Sequence, residues 1–415
     1  MADKQKIEYS RTYSFTLKIK GKEYSNELNS VRIVSNLASA WPVFSLDLFI
    51  LPDDILLESL HGQEDISLIC RLLHYDGQEI GKLDFNLMCL KPSSQLPVSK
   101  QMMSEGYAQV DRTRLSILAV PKDPYKTLTK MVNGVYGGLS SYKSSRQVAQ
   151  DLVSKASSTT KLVYDSNGEN KEVITQVCIF PNTLYSALQY LDKNFGTHDG
   201  CPSIYCRYDN ELHIINESDR IKKSPLIIVT HLAIDKKDTE QTIKDASDGV
   251  HFYTTTAISV DHKTNSSFAK LGKTIKHVVK PKDKLFHVIN TDLEKICKEY
   301  GAISGNDKIH MNTGIERDKY YTGDTGYEYS ETFIRSMLAK QIFGLSSITL
   351  NLEKSLKIEN LLKVGECVTF NTDTIEYIDL SGNYILQMSD IKFNRDGKEW
   401  RTTVQLKMVR TNKVK

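Results

Sequence analysis

The chain has 415 residues, with 54 Lys or Arg against 51 Asp or Glu, a formal net charge of +3, and 40% hydrophobic and 25% charged positions. That length is a soft prior for about three domains. The composition excludes a disordered or collagen-like chain, and the near balance of charge argues against a dedicated nucleic-acid binder. No apolar run reaches the ~18 residues of a membrane span, and the polar start Met1-Ala2-Asp3-Lys4-Gln5-Lys6 lacks a secretory signal pattern. Cys70, Cys89, Cys178, Cys201, Cys206, Cys297 and Cys367 are scattered, odd in number and without a CxxC pair. They read as reduced, packed thiols of a protein made in a cytosol.

From Tyr9 to Val120 the apolar period is two. Tyr13, Phe15, Leu17 and Ile19 alternate with polar residues before a Lys20-Gly21-Lys22 turn, and Val31-Arg32-Ile33-Val34 follows. Phe44, Leu46, Leu48 and Ile50 share the face of another strand, and Asp53 or Asp54 is placed to cap a short helical turn at Ile55 to Leu60. Ile66 to Leu73 and Gly81 to Met88 flank Asp76-Gly77 as a hairpin, and Arg112 to Val120 closes the block. Short strands at this spacing suggest a sandwich or small barrel. Lys91 to Gly106 is polar and aperiodic, which predicts a protruding loop.

Pro121 and Pro124 mark a change of character. Ser144 or Ser145 caps a predicted helix to Lys155, a strand is predicted over Val173 to Ile179, and Thr183 opens a second helix that Gly196 terminates. Pro202 to Tyr208 and Leu212 to Ile215 form a hairpin across Asp209-Asn210. β-type sequence returns at Leu226 to Thr230 and His251 to Val260. Beyond a Lys-rich stretch (Lys270 to Lys284), helices are predicted over Asp292 to Tyr300 and Ser330 to Phe343, with a tyrosine-dense loop, Lys319 to Tyr327, between them. The chain closes with Ile348, Leu350 and Leu352 alternating. A meander follows: Val364 to Phe370, Tyr384 to Phe393 and Trp400 to Arg410, with turns around Gly382 and Asp396-Gly397.

Few residues carry a chemical signature. His198, Cys201, Cys206 and His213 are the best metal candidates, but their irregular spacing is poor for tetrahedral zinc, and packed thiols with a surface His fit better. No GxSxG, Walker loop or HExxH occurs. Asp53-Asp54 reads as a helix cap and Glu328 with Glu331 as a solvated helix face, ahead of a catalytic carboxylate pair. Thr322-Gly323-Asp324-Thr325-Gly326 lacks the Lys-Ser/Thr of a phosphate loop. The Lys270–Lys284 cluster, without interleaved aromatics, reads as a solvated basic face. Tyr320, Tyr321, Tyr327 and Tyr329 fit a subunit contact, since Tyr joins a large apolar area to a polar tip. No catalytic, metal or cofactor-binding residue is assigned, and no cofactor is expected.

The order of features resembles the baseplate hub proteins of contractile-tailed bacteriophages. The resemblance is carried by Val31-Arg32-Ile33-Val34-Ser35-Asn36 with Phe44-Ser45-Leu46-Asp47-Leu48, by Thr183 to Leu191 through Phe195-Gly196 and the Tyr208-Asp209-Asn210 hairpin, and by Gly382-Asn383-Tyr384 to Trp400 and Arg410. It implies a mainly β, α+β chain with two tube-type antiparallel β-barrels flanking an α+β middle. The corresponding divisions are a first barrel at 1–121, an α+β domain at 122–220, the start of a second barrel at 221–274, a helical insertion at 275–345 and the completion of that barrel at 346–415. It further implies a non-enzymatic virion protein of the tail baseplate. Such a hub is a homotrimer joining the sixfold tail tube to the trimeric central spike, touching other baseplate proteins and letting DNA through its lumen without gripping it. The expected structural or interface residues are Tyr320, Tyr321, Tyr327, Tyr384 and Trp400. The loops at Lys91 to Gly106 and Ser304 to Asp318 depart from the pattern. A tail-tip peptidoglycan hydrolase and a glycan- or receptor-binding tail protein are the competing readings.

Overall fold

The computed structural model describes residues 12–51, 54–95, 113–137, 143–231, 251–262, 274–280, 287–292, 317–322, 346–352, 358–372 and 380–410, apart from 75, 172, 175, 256 and 398, together with Lys295, Ser336 and Ala339. In β1 (Thr12–Ile19) the odd positions Tyr13, Phe15, Leu17 and Ile19 are buried, as the alternation requires. The chain turns at Lys20-Gly21, both at positive φ, into β2 (Lys22–Glu23). β3 (Leu28–Asn36) and β4 (Val43–Ile50) follow, then α1 (Ile55–Ser59). Asp54 caps α1 by accepting from the Leu56 amide at 2.9 Å, the role expected of it. The block ends with β5 (Asp65–Leu73), β6 (Glu79–Gln95) and β7 (Thr113–Pro121).

These strands are hydrogen-bonded in the order β3-β4-β7-β6-β5-β1. β6 pairs with β5 through Met88 and with β7 from Leu87 to Gln95, around a bulge between Cys89 and Lys91. The segment from Lys91 expected as a loop therefore begins as strand, while 96–106 lies outside the described residues. Pro92 sits where β6 has lost β5 as a neighbour, the edge situation in which strand prolines occur.

The middle segment comprises α2 (Lys122–Thr129), β8 (Met131–Gly137), β9 (Lys143–Ser144), α3 (Ser145–Ala156), β10 (Lys161–Tyr164), β11 (Val173–Ile174), β12 (Gln176–Thr183), α4 (Leu184–Phe195), β13 (Pro202–Cys206), β14 (Glu211–Asn216) and α5 (Glu217–Arg220). The helix ends lie where their caps predict. Ser144 and Gln147 form a reciprocal capping box, Thr183 accepts from the Ser186 amide, and Gly196 takes φ +73. Val148, Ala149, Leu152 and Val153 of α3 meet Leu184, Leu188 and Leu191 of α4 over β8, β12, β13 and β14. This core is separate from that of the barrels.

The last segment holds β15 (Ile227–His231), β16 (His251–Thr255), β17 (Ala257–His262), β18 (Thr274–Lys280), β19 (His287–Asp292), β20 (Arg317–Thr322), β21 (Ser346–Leu352), α6 (Ile358–Leu361), β22 (Cys367–Thr372), β23 (Gly382–Asp396) and β24 (Glu399–Arg410). The hydrogen-bonded path runs β16-β15-β22-β23-β24-β21-β17. β16 and β17 follow one another along the chain, so the path returns on itself as a second barrel. Two of its pairings, β15 with β16 and β15 with β22, are parallel, a departure from the all-antiparallel barrel expected.

The stretch read as a helical insertion carries a three-stranded sheet, β19-β18-β20. Asp292 ends a strand, and Tyr320 and Tyr321 lie within β20, where a loop was expected. Short β-branched and tyrosine runs fit strands as well as loops, and flanking polar residues hid the pattern. Of the two predicted helices, Lys295, Ser336 and Ala339 are described, and all are helical.

One strand unites the halves. β23 pairs with β22 through Gly382 to Ile385, with β3 through Met388 to Asn394, and with β24 along almost its whole length. A bulge between Leu386 and Met388 marks the change of partner. Buried positions before it include Tyr384 and Leu386; after it they are Ser389, Ile391 and Phe393. The extra residue flips the strand's sequence parity, so its buried side chains stay on the face they share with Val404, Leu406 and Met408 of β24 while the neighbour on the other edge changes from β22 to β3. The β23–β24 tip lies between β3 and β1, where Phe393 and Trp400 meet Phe15 with ring centroids 5.0 and 4.7 Å apart.

Candidate assembly site

The three blocks meet at Gly365. It has φ +83, a left-handed conformation that favours glycine. A Cβ there would stand 2.7 Å from Ile215 Cδ1, 2.9 Å from the Tyr205 hydroxyl and 3.3 Å from Leu37 Cδ2. Leu37 follows β3, Tyr205 and Ile215 come from β13 and β14, and Gly365 precedes β22. Hydrogen bonds to backbone carbonyls hold the same joint: the Tyr205 hydroxyl donates to Val364 O at 2.6 Å and the Cys206 amide to Ala40 O at 2.8 Å. The sequence reading placed Val364-Gly365 within a strand; the strand starts at Cys367 because Gly365 is spent on this turn.

Beside it lies a buried ion network. Arg220 forks onto Asp165 at 2.8 and 3.0 Å and reaches Glu366 Oε1 at 2.6 Å. Arg207 donates to the same Glu366 oxygen at 2.5 Å and lies 3.8 Å from Glu211. Both arginine side chains are nearly inaccessible. Burial works against the Asp165 carboxylate, yet the Arg220 hydrogen bonds and charge hold its pKa below the usual range. His213, stacked on Tyr205 at 5.1 Å, is driven down to about 3 by burial and then by the charges of Arg207 and Arg220. It is therefore neutral at ordinary pH. Burial also raises the Tyr205 hydroxyl to about 12, keeping it a donor. This arrangement fixes the middle domain to the second barrel. Its charged groups are paired with one another, whereas Arg207 Nε and His213 Nδ1 are buried without a hydrogen-bond partner among the described residues.

On the outer face of the shared sheet, Arg32 of β3 clamps Asp390 of β23 at 2.9 and 2.6 Å. Asp47 of β4 accepts from Ser30, Arg114 and Ser116 across three strands. The face is polar and charge-paired.

Tyr384 is wholly enclosed, its hydroxyl donating to Leu380 O at 2.6 Å and its ring under Arg410, so its place is internal to the chain. Trp400 is half-buried against the barrel core. Tyr320 and Tyr321 are described as backbone in β20, and Tyr327, Tyr329, Glu328 and Glu331 lie outside the described residues, as does residue 53. Cys201 and Cys206 belong to different cores, as opposite faces of one extended segment demand, and both histidines beside them are buried, where a surface His was expected. Among the described residues no cluster fit to hold a metal is formed. No described helix is long and apolar enough to cross a membrane. Sequence reasoning missed Asp165, Arg207, Arg220 and Glu366; their charges are unremarkable in a chain of this composition, and only the fold brings them together.

No protein-family model matches the sequence, and no curated protein matches it. Solved structures do. The tail protein from Neisseria meningitidis MC58 aligns over 96% of both chains at 13% identity and a TM-score of 0.55. The 43 kDa tail protein of prophage MuSo2 from Shewanella oneidensis aligns over 97% of this chain and 100% of its own, at 11% identity and 0.56. A Francisella PdpA–VgrG complex in its half-lidded form aligns over 97% of this chain and 58% of its own, at 10% identity and 0.50. The chain therefore has an α+β, mainly β fold shared with phage tail proteins: two tube-type barrels flanking an α+β middle.

Proposed function

We propose that this chain is a structural protein of a phage-type tail, the subunit of a trimeric baseplate hub. The observation that carries this reading is β23, the single strand that builds both barrels into one sheet. A chain with two barrels held in fixed relation offers two similar units per subunit, so three subunits present six. That is the geometry needed to join a sixfold tube to a threefold spike. The joint at Gly365 and Glu366 supports the reading, because a ring under load needs its subunits stiff. A heterologous contact repeated around a threefold axis closes such a ring. The paired charges on the outer face of β3, β4 and β23 suit a wall that DNA passes without being held.

In this account the chain divides into 1–121, 122–220, 221–274, 275–345 and 346–415, with the 275–345 insertion being part sheet. The protein resides in the virion tail and does no chemistry. Its partners are two further copies of itself, the tail tube, the central spike and other baseplate proteins. Tyr320, Tyr321 and Tyr327 are assigned to contacts with such partners, while Tyr384 and Trp400 serve inside. Neither the hydrolase nor the glycan-binding reading is favoured by any feature of the described residues. A cryo-electron microscopy map of the chain with its cognate spike tests the proposal: three copies around one spike are expected, and a single copy or a twofold assembly would overturn it.

A further inference from the structure

The sequence contains two Asn-Gly pairs, Asn133-Gly134 and Asn167-Gly168. Both asparagine side chains are exposed, so what separates the pairs is the backbone. Asn133 and Gly134 lie within β8, where Gly134 is opposite Ile179 of β12. The Tyr136 ring lies so close that a Cβ on Gly134 would stand 2.7 Å from it. Asn167 and Gly168 lie instead in the turn between β10 and β11. That turn is pinned on both sides, by the Asp165 amide donating to Ile214 O at 3.1 Å and the Asn170 amide donating to Thr197 O at 2.9 Å. Between the pins Gly168 takes φ +66, and a Cβ there would meet Asn216 Nδ2 at 2.7 Å and Asp199 O at 3.0 Å. The position requires glycine.

An asparagine followed by glycine carries its own nucleophile. The next backbone nitrogen is already beside the side-chain carbonyl carbon, so attack is intramolecular, and glycine has no side chain to block it. At Gly168 that nitrogen has no hydrogen-bond partner among the described residues, whereas its carbonyl accepts from the Asp199 amide at 2.5 Å. The Asn167 side chain donates through Nδ2 to Asp219 Oδ2 at 3.0 Å, a contact that leaves its carbonyl carbon open. At Asn133 the backbone is held extended in the β8–β12 ladder, and ring closure there first requires the ladder to open.

We propose that Asn167 is a site of spontaneous deamidation, a slow covalent modification that loosens the joint between the middle segment and the second barrel. The Gly168 nitrogen bonds to Asn167 Cγ, the Cγ–Nδ2 bond breaks, and the proton lost by the nitrogen leaves with the amide as ammonia. Water then opens the resulting succinimide at either carbonyl, giving aspartate or isoaspartate. The product is a carboxylate in place of the amide that now donates to Asp219 across 3.0 Å. Asp219 belongs to α5, and the next residue, Arg220, reaches both Asp165 and Glu366. Repulsion between the two like charges therefore acts on the helix that carries the ion network. Isoaspartate also adds a methylene to the backbone beside Asn216, whose buried side chain donates to Asn167 O at 3.5 Å and to Asp199 O at 3.3 Å.

The test ages the full wild-type chain at mildly alkaline pH, both folded and in urea, and follows each asparagine by peptide mass spectrometry. Each site's folded rate is compared with its own rate in urea, which removes the effect of neighbouring sequence. Asn167 is expected to keep most of its urea rate in the folded chain, with isoaspartate among the products, while Asn133 slows at least several-fold. Equal protection of the two sites, or faster conversion of Asn133 in the folded chain, overturns the proposal. The consequence for the joint is read on variants that need no ageing. Asn167→Asp is expected to lower the melting temperature, and adding Asp219→Asn to raise it again by removing the repulsion. An Asn167→Asp melt equal to that of the wild type, or one that Asp219→Asn does not raise, overturns the link between the modification and the joint.

Discussion

Arg220 and Glu366 stand 146 positions apart in the sequence and meet at 2.6 Å, with Arg207 sharing the same carboxylate oxygen. With the Tyr205 hydroxyl on Val364 O, these contacts tie the middle segment to the turn before β22. Removing the carboxylate leaves Arg220 its fork onto Asp165 but takes from buried Arg207 its close partner, with Glu211 3.8 Å away. Glu366→Ala is expected to cost about 3 kcal/mol, because breaking a buried pair leaves charge without compensation. Urea unfolding reads this as a lowered midpoint; a midpoint within error of the wild type would show that the pair contributes nothing.

Gly365→Ala tests the joint through its backbone. The new methyl meets Ile215 Cδ1 and the Tyr205 hydroxyl, and the residue keeps a φ of +83. Positive φ in a non-glycine residue costs on the order of 1–3 kcal/mol before any clash. The variant is expected to melt several degrees lower, and to lose protection from amide exchange first at Cys206, whose amide crosses to Ala40 O, and at Leu226, whose amide bonds Cys367 O beside the joint. Exchange lost uniformly over the chain would contradict a local role.

The joint also sets a pH dependence. His213 in the folded chain titrates at about 3, below its ordinary value of 6.5, owing to burial and the two arginines. The unfolded chain therefore binds this proton first as pH falls, and stability is lost progressively between about 6.5 and about 3. At about 1.4 kcal/mol per pH unit, His213 accounts for about 2 kcal/mol less stability at pH 5 than at pH 7. His198 is lowered by burial and acts in the same direction. His213→Gln is expected to flatten the profile over this window. A profile as steep as the wild type's would place the titration elsewhere.

Trp400 anchors the β23–β24 tip against Phe15, with ring centroids 4.7 Å apart. A fully buried Trp truncated to Ala costs about 3–5 kcal/mol. Trp400 is half-buried, so about 2 kcal/mol is expected for Trp400→Ala, read as a fall in melting temperature with an intact trimer. An unchanged melting temperature would show that the tip does not help close the first barrel.

Much of this architecture was legible in the sequence, and the reasons are local. Strict alternation in Tyr13–Ile19 and Phe44–Ile50 fixed buried faces that the structure keeps, and Ser144, Thr183 and Gly196 bounded helices through their own hydrogen-bonding chemistry. What escaped was non-local. The parity change at Gln387 is written in the sequence as Tyr384 and Leu386 followed by Ser389, Ile391 and Phe393, but reading it as a bulge where the neighbour changes from β22 to β3 requires knowing that β3 lies alongside. Gly365 looked like a strand residue because Val364, Cys367, Val368 and Phe370 around it suit a strand. The ion network left no local trace, since Asp165, Arg207, Arg220 and Glu366 belong to four separate elements or their flanks. The parallel strand β15 was unreadable for the same reason: pairing direction is set by the chain between strands.

The most direct test of the central claim is the mass of the purified chain by multi-angle light scattering across a wide concentration range, with and without the cognate spike. The account predicts a particle of three subunits, each of 47.1 kDa, that persists on dilution when the spike is bound. A strict monomer in both conditions would contradict it.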